Sequence, residues 1–469
     1  MLEKNKEYTD IVSDFGYEGE GVIRRGEDVV FVPFSISGEK IKYKVLKVTK
    51  NLSYGKVVSV ITPAKERVTP PCEYFYKCGG CSLQHLNYKK QLDIKRENIA
   101  RCFKKIAFTD VLVENVVCGK NNYRYRNKLQ LPVSYDGVKT VIGFYAPNSH
   151  RVIPITDCLI NPEWTEKIIR SFSEYIQKFN VKGYDEKQHC GLIREITVKD
   201  VCGALIIAVV CTEKNLPHKE SLIEILKNNL GCDFSLFLNV NSSRTNVIYG
   251  EKFYLLHGKS EYGASMLGIS YTAGVRSFMQ VNSEVCEKLY SEVKKSLNAD
   301  ENTTVIDAYS GAGLMTALLA SGAARAVGIE IIKEAVNIAD KLAKNNGLQN
   351  KITNICGKCE DVLPDLIKKL KQSGDKVSVV LDPPRKGCDI KVLQAVLNSG
   401  ADRVVYVSCL PQSLARDVGV LIGTLSLKDG VLKRGEEKDG KYKIESIKPF
   451  DMFPQTRHVE TLCVLDRVN

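Results

Sequence analysis

The stretch TTVIDAYSGAGLMTALLASGAARAVGIE, residues 303–330, decides how the carboxyl-terminal half of the chain folds. It opens on a run of β-branched and apolar residues, turns through Gly311 and Gly313, continues as a short apolar helix over 314–321 and ends in a second apolar run. Nearly continuous apolar strands joined by helices belong to parallel sheets covered on both faces. The alternation continues outward: a helix over 332–345, ITNICG, a helix over 360–372, VSVVLDPP, a helix over 390–398, RVVYVSC and a helix over 411–422. The pattern predicts a doubly wound, Rossmann-like α/β domain over 266–469, whose ligands bind beyond the carboxyl ends of the strands.

The amino-terminal part reads differently. Residues 19–48, GEGVIRRGEDVVFVPFSISGEKIKYKVLKV, alternate short β-branched runs with glycine turns, which predicts a small antiparallel, OB-like β-barrel over 1–62. Within KIKYKV, Lys40, Lys42 and Lys44 fall on one face and Ile41, Tyr43 and Val45 on the other; Lys47, Lys50 and Lys56 follow without an intervening acid. Such a face is either simply solvated or tracks phosphates. Residues 63–265 mix helices near 84–105, 163–178 and 219–230 with strands, an α+β pattern that holds a cysteine-rich loop at 72–81. The 469 residues therefore divide into three expected domains. No uninterrupted apolar run is long enough for a membrane span and no signal core opens the chain, so a cytoplasmic protein without a membrane partner is expected, with nothing demanding more than a monomer. A net charge of +12 favours a polyanionic partner, and sixteen scattered cysteines read as reduced thiols.

Chemistry-bearing residues gather at the ends of the predicted strands. In VIDAYSGAG, Asp307 closes a strand, Tyr309 follows, and Gly311 and Gly313 open the next helix; Thr316 stands where a dinucleotide fingerprint requires its third glycine. Glu330 closes the next strand and is placed to accept hydrogen bonds from two ribose hydroxyls. Asp382 and Arg385 lie in LDPPRKG, and Cys409 lies in VSCLPQSLARD just before a helix, where the dipole is expected to lower the thiol pKa. His458 and Glu460 open the final strand in TRHVETLCVL. Cys72, Cys78 and Cys81, flanked by Gly79 and Gly80, form a candidate metal site with Cys158 as a distant fourth ligand, and spacing alone suits zinc and an iron–sulfur cluster equally.

DPPRKG, the cysteine before a helix, and HVE near the carboxyl terminus together resemble the RNA uracil-5-methyltransferase family. SFMQVN at 277–282 is similar to that family's cofactor-contacting segment and carries over Gln280; the first domain resembles a TRAM domain; CEYFYKCGGCSLQH with TDCLINP resembles the cluster-binding segments of the 23S ribosomal branch. The resemblance implies S-adenosylmethionine bound by Gln280, Asp307, Tyr309, Gly311, Gly313, Glu330 and Asp382, and a [4Fe-4S] cluster on the four cysteines in preference to zinc. It further implies Cys409 as nucleophile, Glu460 as base, Asp382 as a contact to the flipped uracil, and structured RNA, 23S ribosomal RNA first, as partner. The residue types suit that chemistry, because a thiolate added to carbon 6 makes carbon 5 of uracil nucleophilic and a carboxylate must then remove the carbon-5 proton. Transfer RNA as substrate, methylation of an amine or adenine, and a noncatalytic RNA-binding assembly factor are the alternatives. One departure stands out: Leu410 and Pro411 follow the cysteine where the family has Asn-Pro.

Overall fold

A computed structural model of the chain describes residues 2–50, 52–428, 431–435 and 440–468. Its carboxyl-terminal unit is a seven-stranded sheet in the order β18 (Ile352–Cys356), β17 (Arg325–Glu330), β16 (Thr303–Ala308), β19 (Lys376–Leu381), β20 (Arg403–Ser408), β24 (Glu460–Arg467), β23 (Tyr442–Phe450). The first five are parallel and the last two antiparallel. Successive residues of each strand serve opposite faces, as the two-residue period requires. Ile306, Val379, Val404 and Leu465 pack beneath α7 (Cys359–Gln372), α8 (Ile390–Ser399) and α9 (Pro411–Leu421). Val305, Val380, Val405 and Val464 pack beneath α4 (Ser283–Ser296) and the edge of α5 (Leu314–Ala320). The parallel sheet and its helices, including α6 (Lys333–Asn345), match the sequence reading closely.

The central sheet runs in the order β13 (Lys252–His257), β12 (Phe234–Val240), β11 (Ala204–Cys211), β10 (Ile193–Val201), β7 (Lys128–Tyr135), β8 (Thr140–Tyr145), β9 (Val152–Pro154). One face is covered by α2 (Trp164–Lys178) and α3 (Lys219–Leu230) through Ile196, Val198, Ile207 and Phe172. A two-stranded ribbon, β14 (Glu261–Met266) and β15 (Ile269–Gly274), leads from this unit into α4.

The first sheet departs from expectation. Its order is β1 (Glu7–Ile11), β5 (Lys40–Val48), β6 (Leu52–Thr62), β4 (Asp28–Val32), β3 (Gly21–Arg25), β2 (Asp14–Phe15), and β4 pairs with β6 in parallel. The strands form an open six-stranded sheet instead of a closed antiparallel barrel, with β1 and β2 at its two edges. The expected facial division survives: Ile41, Tyr43 and Val45 are buried with Ile23, Val30 and Val32, while Lys40, Lys42 and Lys44 face outward. Lys42 is met by Glu7 at 2.8 Å.

Helix α1 (Tyr88–Ile106) ties these parts together. It starts at 88 and not 84 because the Asn87 side chain accepts a hydrogen bond from the Lys90 N–H and caps it there. Ile99, Cys102 and Phe103 join the core beneath α9. Lys95, 1% exposed, meets the fully buried Asp451 at 2.5 Å, and its ammonium also donates to the Phe453 carbonyl at 3.1 Å. The Tyr88 hydroxyl donates to the other Asp451 oxygen at 2.7 Å. Among the described residues no helix is long and apolar enough to cross a membrane, and all sixteen cysteines are free.

Removing one partner of this pair strands a charge in the core, which costs about 3–5 kcal/mol. Lys95→Met is expected to lower the thermal unfolding midpoint by several degrees, whereas Lys95→Met combined with Asp451→Leu recovers most of that loss; equal midpoints for the single and double variants would contradict the assignment.

Candidate functional site

Strand β16 delivers a fully buried Asp307 to the carboxyl edge of the parallel sheet. The Thr316 hydroxyl, one turn into α5, donates to its carboxylate at 2.6 Å, so the residue that spoils a dinucleotide fingerprint orients the acid. Between them the backbone twists sharply: Tyr309 is left-handed at φ 73° and Gly311 at φ 56°. A left-handed aromatic residue carries strain of about 1–3 kcal/mol, and such strain gathers at ligand sites. Gly313, at φ 84°, caps α5 where any Cβ would stand 2.6 Å from that of Ala339, so the turn must lie flat against α6. Glu330, ending β17, accepts the N–H groups of Gly311 at 3.0 Å and Ile332 at 2.8 Å, which aims its carboxylate across this turn.

Asp382 ends β19 beside them. Burial pushes its carboxyl up to about 6, and burial, with Asp382 and Glu330 nearby, pushes that of Asp307 up to about 7. Three acids on neighbouring strand ends with no lysine or arginine bonded to them among the described residues form a pocket edge suited to a cationic ligand.

Gln280, expected at the donor site, lies in the segment between β15 and α4, which the central unit holds in place. Asn127, just before β7, donates to the Gln280 carbonyl at 2.9 Å and to Ser283 Oγ at 2.8 Å. From β10 the Lys199 ammonium donates to the carbonyls of Val275 at 2.6 Å and Ser277 at 2.5 Å. Neither residue was singled out by sequence, since only the tertiary fold brings them to this segment. The same holds for Tyr290 of α4, whose phenol is raised by burial and by Cys286, Asp382 and Asp307 around it.

The second cluster lies one strand further. Ser408 pairs with Thr461 as the last pair of β20 and β24, and Cys409 and Glu460 flank that pair, close enough for the carboxylate to act on the thiol. The Cys409 thiol is pushed up, first by burial and then by the Glu460 carboxylate, while the nearby Arg385 guanidinium opposes both. The lowering expected from the helix terminus is therefore outweighed: α9 begins two residues later, and the thiol is half-buried between carboxylates. Glu460, 6% exposed, is pushed up to about 8, first by burial and then by Asp382, with Arg385 again opposing. His458 falls to about 4, first through burial and then through the cationic side chains around it, so it is neutral at physiological pH.

Two braces hold these groups. Asp417 of α9, fully buried, accepts from the Cys388 N–H at 2.8 Å and the Tyr406 hydroxyl at 2.6 Å, which ties the Asp382–Arg385 turn to the helix following Cys409. Gly387, at φ 81°, lies so close that a Cβ would meet Asp417 Oδ2 at 2.5 Å. Leu410 occupies the N-cap of α9 without a side-chain bond to the helix, and Ser408 Oγ accepts its N–H at 3.1 Å instead. The loop from 451 to 459 that delivers Glu460 is gripped by the cysteine-rich segment. The Ser82 and Leu83 N–H groups both donate to the Gln455 carbonyl at 3.0 Å, Ser82 Oγ accepts the Arg457 N–H at 3.0 Å, and the Gln455 and Gln91 amides bond at 3.0 Å.

Cys72, Cys78, Cys81 and Cys158 line a single cavity of about 240 Å³ together with Tyr74, Phe75 and Ile155. The Arg124–Asp157 ion pair at 2.6 Å carries Cys158 to it. Burial pushes Cys81 up to about 12 and Cys158 up to about 11. Among the described residues no group of three or more histidines, cysteines or acids is drawn close enough to hold a single metal ion, so the four sulfurs share a chamber without converging on one point.

A family model described as tRNA (Uracil-5-)-methyltransferase matches residues 87–468. A chain from Clostridium tetani described as an uncharacterized RNA methyltransferase is 39% identical over 99% of this chain and 97% of its own length. One from Halalkalibacterium halodurans with the same description is 36% identical over 100% of this chain and 98% of its own. Among solved structures, the Pyrococcus abyssi tRNA (uracil-54, C5)-methyltransferase, in complex with S-adenosyl-L-homocysteine, shares the fold with a TM-score of 0.75 at 24% identity, covering 98% of this chain and 100% of that one.

Arg385 lowers both the thiol and the acid, so its loss is expected to move the pH at which Cys409 becomes reactive upward, and Glu460→Gln, which removes a neighbouring negative charge, to move it downward. Alkylation of the Cys409 peptide by iodoacetamide, followed by mass spectrometry against pH in Arg385→Gln and Glu460→Gln proteins, checks this; shifts of the same sign would contradict the geometry.

Proposed function

The chain belongs to the tRNA (uracil-5-)-methyltransferase family, and from that premise we propose that it methylates carbon 5 of a uracil in 23S ribosomal RNA, with S-adenosylmethionine as donor. The observation that carries the reading is the adjacency of Cys409 and Glu460 on paired strands, next to the acidic edge formed by Asp307, Glu330 and Asp382. The donor supplies a methyl group on a positively charged sulfonium, which that acidic edge suits.

The chain's own residues divide the work. The Cys409 thiolate adds to carbon 6 of a uracil flipped from its stack, forming a C–S bond and leaving carbon 5 electron-rich enough to accept the methyl group. Asp382 hydrogen-bonds the extruded base. Arg385 stabilises the thiolate before attack, since its positive charge lies close to the sulfur and opposes the neighbouring carboxylates. Glu460 then takes the carbon-5 proton, the C–S bond breaks and the thiolate is restored. A base held near 8 is a strong proton acceptor once ionised, matched to the weak acidity of that carbon. Gln280, Tyr309, Gly311 and Gly313 shape the donor side, and Ser408 supplies a local polar contact beside Leu410.

The cysteine chamber suits a [4Fe-4S] cluster better than zinc, because a cluster spreads its four thiolates over separate irons while zinc gathers them around one centre. Bound there, it cross-links the segment whose Ser82 and Leu83 hold Gln455. The outward lysine face of the first sheet and this chamber support the ribosomal substrate, as both features resemble that branch of the family.

Three outcomes are expected. RNA containing 5-fluorouracil, with the donor present, forms a denaturation-resistant adduct with the protein, and Cys409→Ala forms none. With ordinary RNA, Glu460→Gln accumulates methylated adduct, because elimination lacks its base, and yields at least a hundredfold less free product. In the wild-type enzyme kcat rises with pH towards about 8, since protonated Glu460 cannot complete the elimination and its fraction falls across that range. Mapping 5-methyluridine in ribosomal and transfer RNA with and without the protein assigns the substrate; a change confined to transfer RNA would overturn the ribosomal reading.

A further inference from the structure

On the face of the central sheet opposite α2 and α3, a cavity of about 220 Å³ opens between β7, the end of β8, β10 and the loop at 245–248. A β-bulge shapes it. Ile193 pairs with Cys211 and Glu195 with Val210, so Arg194 is the extra residue, and bulges re-aim the side chains beside them. The Arg194 guanidinium donates to the carbonyls of Asn241 at 2.9 Å, Ser243 at 2.7 Å and Thr245 at 3.3 Å, and stacks 4.6 Å over the Tyr184 ring. Its charge is thus committed to bracing the far wall. Glu186, the other acid at the rim, accepts from His150 at 2.9 Å.

Glu195 is left over. Its half-buried carboxylate has no hydrogen-bond or ion-pair partner among the described residues, although Arg194 is adjacent in sequence. Burial pushes it up to about 7. Its oxygens stand open in the cavity on a braced wall, free to accept from a donor supplied from outside. Tyr145 stands beside it, 39% exposed, with its backbone pinned because its carbonyl accepts the Gly79 N–H at 2.9 Å. An aromatic wall, an open acceptor and a committed cation together disfavour phosphate and suit a planar group bearing N–H donors.

We propose that this cavity binds an unstacked nucleobase carrying an exocyclic amino group, which donates to Glu195 while the ring lies against Tyr145. The proposal rests on the RNA substrate read above and adds a second, base-selective contact to it. The location agrees: Glu195 and Lys199 lie on the same face of β10, four residues or about 13 Å apart at roughly 3.3 Å per residue, and Lys199 holds the segment carrying Gln280. The cavity and the segment carrying Gln280 are thus held by one strand, β10.

The test uses the full-length protein and fluorescein-labelled single-stranded RNA octamers of cytidine, adenosine or uridine, titrated by anisotropy. The loss on Glu195→Leu is read separately for each octamer, so that uracil binding at Cys409 cancels. Cytidine and adenosine octamers are expected to lose about tenfold in affinity and the uridine octamer less than twofold, with partial rescue in Glu195→Gln, whose amide oxygen still accepts. Equal losses for all three, or no loss, would overturn the proposal. So would unchanged RNA affinities accompanied by lost affinity for an arginine-rich peptide, which would assign the cavity to a protein partner. Adduct formation with 5-fluorouracil RNA should be unchanged in both variants. Its absence in the wild-type protein would instead undermine the methyltransferase reading.

Discussion

The buried contact between Lys95 and Asp451 is the constraint on which the reactive geometry depends. It fixes one end of the loop that runs through Gln455 to Glu460, and the ammonium reaches two acceptors in that loop at once. An ion pair so completely removed from water contributes little net stability, yet it defines a single arrangement of the chain around it. Gln455, buried and left-handed at φ 67°, is then clasped from the other side by Ser82 and Leu83. The Glu460 carboxylate, the proposed base, therefore inherits its position from a helix and a loop that lie hundreds of residues earlier in the chain.

Electrostatics at the sheet edge follow from the same economy of space. Asp307, Glu330 and Asp382 crowd three strand ends, and Glu460 and Cys409 occupy the next two. Asp382 and Glu330 make Asp307 harder to ionise and Asp382 does the same to Glu460, so the single guanidinium of Arg385 has effects well beyond its size. It opposes the proton affinity of the thiol and of Glu460 together, which couples the two ends of the proposed cycle through one side chain.

Much of this was legible in the sequence, for identifiable reasons. The parallel strands are apolar on both faces, so each one announces itself, and the strand ends locate Asp307, Glu330, Asp382, Cys409 and Glu460 at one edge. The first domain was only half legible: the two-residue period in KIKYKV says which side chains turn inward but not which strand is the neighbour, and the parallel pairing of β4 with β6 leaves no local trace. The direction of the Cys409 shift is not legible because the helix terminus is written next to it, whereas the burial that outweighs it comes from the fold and the carboxylate that adds to it lies 51 positions further along. Lys199 and Asn127 were invisible for the same cause, since their partners at 275–283 adjoin them only after the central sheet has formed. Thr316 was noticed solely as a broken fingerprint, and its hydroxyl turns out to orient the acid that the fingerprint would have lacked.

The separation of Lys95 from Asp451, 356 residues, also bears on how the molecule comes into being. A ribosome releases α1 long before the loop that neutralises it exists, so the nascent chain must keep a lysine in solvent that the finished protein encloses. Contacts so distant in sequence close late and slowly. Strand β24, which begins with Glu460, is translated later still. A product stalled before residue 451 thus lacks both the internal counterion of Lys95 and the proposed base.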